Sequence, residues 1–221
     1  MAHHILNMPI DEAQTRQLRI GDTVTLQNTL FGIRDATQIA MFDRARPTRF
    51  DLGGHAVVHT APNVKKVGVS KEFPSGYEAL CVGTTTSSRM ERFSRPLMQQ
   101  YGVRLIIGKG GLHAGSLAAF AELGGAYLAI VGGAAALQTS WIEGIEDVDL
   151  DDLNPESLWR FRIRDFGPLL VGMDSHGGSL FDEVGDAVKA RRAAVLAKLG
   201  VGAGVGALGR ATVGKSAKDG T

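Results

Sequence analysis

Residues 83–90 carry the densest set of side chains that could do chemistry. A run of threonines and serines, from Thr84 to Ser88, lies between a predicted strand and a predicted helix, and Arg89 follows about one turn into that helix. A helix N-terminus beside hydroxyl groups and a guanidinium would form a good pocket for an anion. The alternative is that the hydroxyls only cap the helix.

Two further segments each offer a single cation. Arg34 follows a strand, where an arginine can make a bidentate pair with a carboxylate; the alternative is a surface arginine that pairs with a nearby acid. Lys109 stands between Gly108 and Gly110, which leave the lysine unobstructed. This segment is not a nucleotide-binding P-loop, because the Walker spacing is absent and no serine or threonine follows the lysine.

The histidines have a mostly structural interpretation. His55 and His59 share one face of a predicted strand and could be metal ligands, although core or edge histidines more often show this pattern. Residues 174–178 are typical of a turn. A Ser–His–Asp triad is not predicted from them, because no serine stands in a nucleophile-elbow context.

The elements that must position these segments follow from the hydrophobic pattern. Strands are predicted at residues 23–27, 55–59, 77–82, 103–107, 126–131, 145–150, 159–164 and 169–173. Helices are predicted from residue 11 and at residues 35–44, 86–101, 116–123 and 181–199. The first half is rich in strands and the second alternates helix and strand, which favours a mixed α/β domain over a doubly wound Rossmann domain. Residues 1–199 are predicted to form this domain, and residues 200–221, rich in Gly, Ala and Lys, a disordered tail.

Composition excludes several classes of protein. The chain has 221 residues and a formal net charge of +1, with no basic cluster, so nucleic acid is not an expected partner. Cys81 is the only cysteine, which excludes an intrachain disulfide and a self-contained zinc ribbon or cysteine-ligated cluster. No apolar run could span a bilayer and no secretory signal is visible, so a cytoplasmic location without membrane contact is expected.

The order of the polar segments resembles the class I fumarase and L-tartrate dehydratase family, and most closely the β subunits of its two-subunit members. The resemblance rests on residues 83–90 followed about twenty residues later by Gly108-Lys109-Gly110. Further matching pieces lie at residues 18–24, 34–36, 50–54, 61–64, 156–159 and 165–169, and the whole resemblance covers about residues 4–190. It implies the swivelling β/β/α domain of the fumarase C-terminal half.

The resemblance also implies a function, a cofactor and a partner. The chain would be the β subunit of an iron–sulfur hydro-lyase that adds or removes water on a small dicarboxylic acid. A cysteine-bearing α subunit would hold a [4Fe–4S] cluster through three cysteines, and this chain, with Cys81 alone, would hold no metal. A higher assembly of αβ units is also implied.

Individual roles carry over residue by residue. Arg34, Arg89 and Lys109 would bind the substrate carboxylates. Thr85 would be the catalytic base at the reacting carbon, and Thr86 and Ser87 would form the adjacent helix start and donate to the substrate.

Alternatives remain open on the sequence alone. Tartrate, fumarate and a methylated diacid such as mesaconate all share two carboxylates. Many relatives have a histidine after the Arg-Asp-Ala-Ala string, whereas Thr37 and Gln38 stand here. A different class is a non-catalytic anion-binding or regulatory partner, whose Ser/Thr-rich helix start and lysine loop would bind phosphate or a regulator.

Overall fold

The computed structural model describes residues 1–200, and the chain divides into one unit from Met1 to Phe181 and a second that begins at Asp182. The strands are β1 (His3–Asn7), β2 (Thr23–Ile33), β3 (Ala56–His59), β4 (Asn63–Lys66), β5 (Tyr77–Cys81), β6 (Leu105–Gly108), β7 (Ala126–Ala129), β8 (Ile142–Asp149) and β9 (Leu158–Met173). The helices are α1 (Glu12–Thr15), α2 (Asp35–Gln38), α3 (Ser94–Tyr101), α4 (Ala114–Leu123), α5 (Ala135–Ser140) and α6 (Leu180–Lys198). A π-helical turn (Ile39–Asp43) extends α2, and 3₁₀ turns cover Ser88–Phe93 and Asp151–Leu153. The predicted mixed α/β class is confirmed.

Five of the strands close into a circuit. β2, β3, β6 and β7 pair in parallel in that order, and β9 pairs antiparallel with both β7 and β2. β1 extends the parallel part beside β2, and β8 extends the antiparallel part beside β9. β4 and β5 form a separate antiparallel hairpin. Because β2, β3 and β6 are parallel neighbours, their carboxyl ends meet at one edge, where ligands of α/β sheets usually bind.

The central parallel strands β3, β6 and β7 are buried on both faces. In β3, Val58 belongs to the core that the strands of the circuit enclose, and Val57 belongs to a second core shared with α3 and α4. The same alternation places Leu105 and Ile107 in the first core and Ile106 in the second. Strands buried on both faces appear as continuous apolar runs, so the predictions at residues 55–59, 103–107 and 126–131 are confirmed with small changes in their ends.

The long strands differ most from prediction. β9 is one strand of 16 residues, where two were predicted at residues 159–164 and 169–173. Asp165 and Gly167 take positive φ values of 49° and 154° between those two segments, and β9 keeps its pairing with β2 through register shifts opposite them. β2 likewise continues to Ile33 past Asn28, whose φ is 76°. β1 was not predicted.

In the second unit, the described part of α6 exposes its apolar side chains. Val184, Val188 and Val195 are all exposed, and the predicted helix at residues 181–199 is confirmed. The predicted disordered tail, residues 200–221, lies outside the described residues except for Gly200. No helix among residues 1–200 is long and apolar enough to cross a membrane.

Candidate functional site

The candidate site lies at the carboxyl ends of the parallel strands. Arg34 directly follows β2 and is the N-cap of α2, His59 ends β3, and Lys109 follows β6. Thr85 lies between β5 and the 3₁₀ turn that begins at Ser88. Parallel pairing of β2, β3 and β6 therefore brings three segments that are distant in sequence to the same edge of the sheet.

Backbone hydrogen bonds join the threonine segment (residues 84–88) to the lysine loop (residues 108–111), and we call this junction the crossing of the two loops. The Ser87 N–H donates to the Lys109 carbonyl at 2.9 Å, and the Lys109 N–H donates to the Thr85 carbonyl at 3.4 Å. Thr86 and Lys109 form a parallel bridge at this point. The Thr85 N–H in turn donates to the carbonyl of His59 at 2.8 Å, so that β3 anchors the crossing from the other side.

Arg89 reaches across the site to both the threonine segment and α2. Its Nη2 lies 3.0 Å from Asp35 Oδ2 and donates to Thr85 Oγ1 at 3.3 Å. Burial pushes the pKa of Asp35 upward, but the hydrogen bond and charge of Arg89 outweigh it and hold that pKa below its usual value. Asp35 is therefore ionised at neutral pH and orients the guanidinium beside the Thr85 hydroxyl.

Arg34 is held between two carboxylates. Its Nε lies 3.4 Å from Glu156 Oε1 and 3.5 Å from Asp35 Oδ2. Glu156 also accepts the Ala36 N–H at 2.7 Å, so it ties α2 to the segment before β9. Pairing with acids, the alternative considered for Arg34 from sequence, is thus present, and the same pairing places this arginine next to Arg89 around Asp35.

Lys109 differs from Arg34 and Arg89 because its ammonium forms no ion pair with any carboxylate among residues 1–200. Its side chain is half-buried and runs beside Gly132, where a Cβ would lie 3.0 Å from the lysine Cδ. An ammonium without a protein carboxylate partner is available to an anionic ligand.

The hydroxyls of the threonine segment bind neighbouring groups and do not cap the 3₁₀ turn. Ser87 is the N-cap residue of that turn but makes no side-chain capping bond, and Thr84 Oγ1 donates to the His59 carbonyl at 3.2 Å. Thr85 and Thr86 are half-buried, so their side chains remain accessible at the edge. The capping alternative is therefore not what this segment does.

Ser87 lies behind the site rather than at its surface. Its side chain is fully buried, and its Oγ lies 2.9 Å from His59 Nδ1 and 3.0 Å from the Tyr127 hydroxyl. This placement favours a supporting role for Ser87 over direct contact with a ligand. Of the residues predicted from sequence, the structure gathers Arg34, Thr85, Thr86, Arg89 and Lys109 at the accessible edge and places Ser87 beneath them.

Four neighbours of the site were not predicted: Asp35, Glu156, His59 and Tyr127. Asp35 adjoins Arg34 and Glu156 begins one of the matching sequence pieces, so both carried a signal that was not used. His59 was considered only as a metal ligand or core histidine. Tyr127 lies within an apolar strand, where its type gives no indication that its hydroxyl bonds to Ser87.

Comparison with known proteins identifies the family of the chain. Residues 2–184 match the family model described as "Fumarase C-terminus". The chain is 37% identical over 180 residues to the L(+)-tartrate dehydratase subunit beta of Escherichia coli strain K12, covering 81% of this chain and 87% of that protein. It is 32% identical to a putative L(+)-tartrate dehydratase subunit beta of Methanocaldococcus jannaschii, covering 79% of this chain and 89% of the relative.

A relative of different length matches the same region. The chain is 37% identical over 180 residues to a putative fumarate hydratase class I of Geobacillus stearothermophilus, of which it covers 34%. The match thus includes most of the tartrate dehydratase subunits but about a third of the longer protein. The chain belongs to the fumarase C-terminus family and is a hydro-lyase subunit.

Proposed function

We propose that this chain is the β subunit of a two-subunit hydro-lyase, in which it binds the carboxylates of a small hydroxy diacid and removes the proton, with L-tartrate as the first substrate to test. The observation that carries the proposal is the backbone crossing of the Thr85 and Lys109 loops beside Arg89. This arrangement puts one candidate base and two cations at the same edge of the sheet.

The cations suit the first half of a dehydration. When a proton leaves the carbon next to a carboxylate, negative charge accumulates on that carboxylate, and positioned cations stabilise it. Lys109 would make this contact, since its ammonium has no carboxylate partner among the described residues. Arg34 and Arg89, each already oriented by Asp35, would bind the second carboxylate, and Thr86 would donate to the substrate from the adjacent bridge.

Thr85 is the group best placed to accept the proton. A threonine hydroxyl is a weak base and acts only where nearby positive charge favours its alkoxide form. Arg89 Nη2 donates to Thr85 Oγ1 at 3.3 Å, which supplies that charge. The Ser87 hydroxyl, buried under the crossing, supports the segment and does not bind the substrate in this proposal.

An iron–sulfur cluster does not fit this chain. Thiolates hold such clusters, and Cys81 is the only cysteine; residues 1–200 also hold no group of three His, Cys, Asp or Glu side chains suited to a metal ion. We therefore assign the [4Fe–4S] cluster of this iron–sulfur family to the α subunit, and with it the departure of hydroxide. The residues of this chain account for carboxylate binding and proton removal.

The finer fold assignment, a swivelling β/β/α domain, is part of the same proposal. It is supported by the mixed sheet, in which the parallel strands β1, β2, β3, β6 and β7 are joined by the antiparallel strands β8 and β9, and by helices α3 and α4 on the second core. A higher assembly of αβ units and a cytoplasmic location stay predictions from the sequence.

L-tartrate is favoured over fumarate by the extent of the matches. The chain covers 87% and 89% of two relatives named as tartrate dehydratase β subunits, one of them as putative, but 34% of the fumarate hydratase relative. Fumarate, malate and mesaconate remain the competing substrates because each carries the same two carboxylates.

The test is an anaerobic assay of this chain co-expressed with its α subunit, after cluster reconstitution. Tartrate, malate, fumarate and mesaconate are each supplied, and the β subunit alone is the control. We expect turnover of tartrate by the complex and none by the β subunit alone. An intact cluster in a stable complex that turns over none of the four acids would favour the non-catalytic anion-binding alternative.

A further inference from the structure

We propose that His59 is a positioning residue for this reaction, because its ring fixes Ser87 and thereby the crossing of the Thr85 and Lys109 loops. This inference rests on the proposed function, because the reaction in question is the dehydration proposed above. It depends on a buried chain of hydrogen bonds that none of the predicted roles uses.

We assign one direction to the chain of hydrogen bonds. The Tyr127 hydroxyl donates to Ser87 Oγ at 3.0 Å. The Ser87 proton is then directed to His59 Nδ1, 2.9 Å away, which leaves the ring proton on Nε2. The reverse direction would put the ring proton on Nδ1 and make Ser87 donate to Tyr127, so the protonated ring nitrogen reports which direction holds.

All three side chains of this hydrogen-bond chain are shielded from solvent. His59 is 1% exposed, and Ser87 and Tyr127 are completely buried. Burial lowers the pKa of His59 to about 3, so the ring is neutral at any pH at which the enzyme would work. His59 therefore acts through the geometry of its hydrogen bonds and not through its charge.

His59 touches the crossing in two places. Its carbonyl accepts the Thr85 N–H at 2.8 Å, while its ring accepts from Ser87, whose own N–H donates to the Lys109 carbonyl at 2.9 Å. A ring replacement that cannot accept from Ser87 leaves this buried hydroxyl without its acceptor, and relief of that cost requires Ser87 to move together with the N–H that bonds to Lys109. The relative position of the proposed base and the unpaired cation thus depends on the His59–Ser87 hydrogen bond, and displacements of about 1 Å can cost on the order of 10²-fold in rate.

The two ring nitrogens can be tested separately. Nδ1 bonds to Ser87, whereas Nε2 is buried without a protein hydrogen-bond partner. An asparagine amide falls near the Nδ1 position, and a glutamine amide falls near Nε2 because its side chain is one carbon longer. His59→Asn keeps an acceptor for Ser87, and His59→Gln and His59→Leu remove it.

We expect kcat of the reconstituted αβ complex to fall about tenfold or more in His59→Gln and His59→Leu, and to stay within about threefold of wild type in His59→Asn. KM should change little in all three, since the carboxylate-binding side chains are retained. His55→Gln, in the residue before β3 and half-buried, is the matched control and should leave kcat unchanged. Cluster content and thermal unfolding are measured for each variant to show that the complex has assembled.

A second measurement does not depend on activity. The full-length chain labelled with ¹⁵N-histidine should give a His59 signal with a protonated Nε2 and a bare Nδ1, unchanged between pH 8 and pH 5. A protonated Nδ1 would overturn the proposal, as would rescue by glutamine but not asparagine, which would assign the role to the unpartnered nitrogen. An inactive wild-type complex refutes the proposed function instead, and so differs from an active complex in which His59→Leu is unimpaired.

Discussion

Two regions of the molecule are rich in arginine–carboxylate pairs, and only one has the features of a ligand site. On the surface formed by β8 and β9, Arg162 and Arg164 lie 3.2 Å and 2.7 Å from Glu143. At the candidate site, Arg34 and Arg89 contact Asp35 at similar distances. Pairing of arginines with acids therefore does not by itself distinguish a site from a solvated strand surface.

The two regions differ in the buried groups that adjoin their ion pairs. The β8–β9 pairs join facing strands and are largely exposed, with Arg164 73% exposed, so they are cross-strand surface contacts. The site pairs adjoin a crossing of two loops that is supported by the fully buried Ser87, and they lie beside Lys109, which forms no ion pair within residues 1–200. In this molecule, the candidate site is therefore distinguished by an unpaired cation and by the buried His59–Ser87–Tyr127 hydrogen bonds, and not by the number of ion pairs.

The strongest test of this contrast is Thr85→Ala. If Thr85 accepts the proton, kcat of the αβ complex should fall by about 10²-fold or more, because the general base is lost. Steady-state kinetics at saturating substrate measure this effect. Ser88→Ala, three residues further along and half-buried, is the control. An unchanged kcat in a complex with full cluster content would exclude Thr85 as the base.

Replacing Lys109 tests the unpaired cation. Lys109→Ala should raise KM for the best substrate by about tenfold or more, because it removes a charge-assisted contact with a carboxylate. Lys65→Ala is the matched control, since Lys65 is exposed and faces Glu78 at 3.9 Å. If KM is the same in both variants, Lys109 is structural and the two regions no longer differ in this respect.

Acid titration tests whether the buried His59 ring stays neutral in the folded protein. Above pH 6.5, the ordinary pKa of histidine, the His59 ring is neutral in both the folded and unfolded states. Below it the unfolded chain takes up a proton that the folded chain excludes until pH approaches about 3, so stability falls as pH falls. The His59 contribution should reach about 1.4 kcal/mol per pH unit in this window.

Urea unfolding at several pH values between 7.5 and 4.5 measures that slope. The lowered carboxyl pKa values of Asp35 and other acids also contribute at low pH, so the useful quantity is the difference between wild type and His59→Asn. Parallel curves for the two proteins would show that His59 does not titrate in this way.

The smallest effect is expected on the β8–β9 surface. Arg162→Ala removes an exposed pair with Glu143 and should change the free energy of unfolding by less than about 1 kcal/mol. kcat and KM should match wild type. A loss of activity here with an intact fold would contradict the division between the two regions.

The sequence predicted the buried parallel strands well and the long bent strands poorly. β3, β6 and β7 are uninterrupted apolar runs, which hydrophobicity identifies without knowledge of their partners. β9 contains Asp165, Gly167 and Pro168, which are typical of a turn, yet pairing with β2 keeps the strand continuous through a bulge. That outcome depends on tertiary contacts that local sequence does not encode.

The accessible part of the site was predictable and its support was not. Arg34, Thr85, Arg89 and Lys109 stand in short motifs of recognisable type, each after a strand or before a helix. Ser87 bonds to His59, 28 residues away, and to Tyr127, 40 residues away, and neither partner type indicates a buried hydrogen-bond chain. Only the fold brings those three hydroxyl and imidazole groups together.

Gly108 offers a way to recognise the buried hydrogen-bond chain in other sequences. A Cβ at this position would lie 1.9 Å from Ser87 Oγ and 3.3 Å from the Tyr127 hydroxyl, so no other residue fits while those bonds exist. Glycine is therefore required before Lys109 because of its contact with Ser87, and not because a phosphate approaches the backbone there. A homologous chain with a larger residue here must have lost this serine contact, which makes a single letter of sequence a diagnostic marker for sorting members of the family.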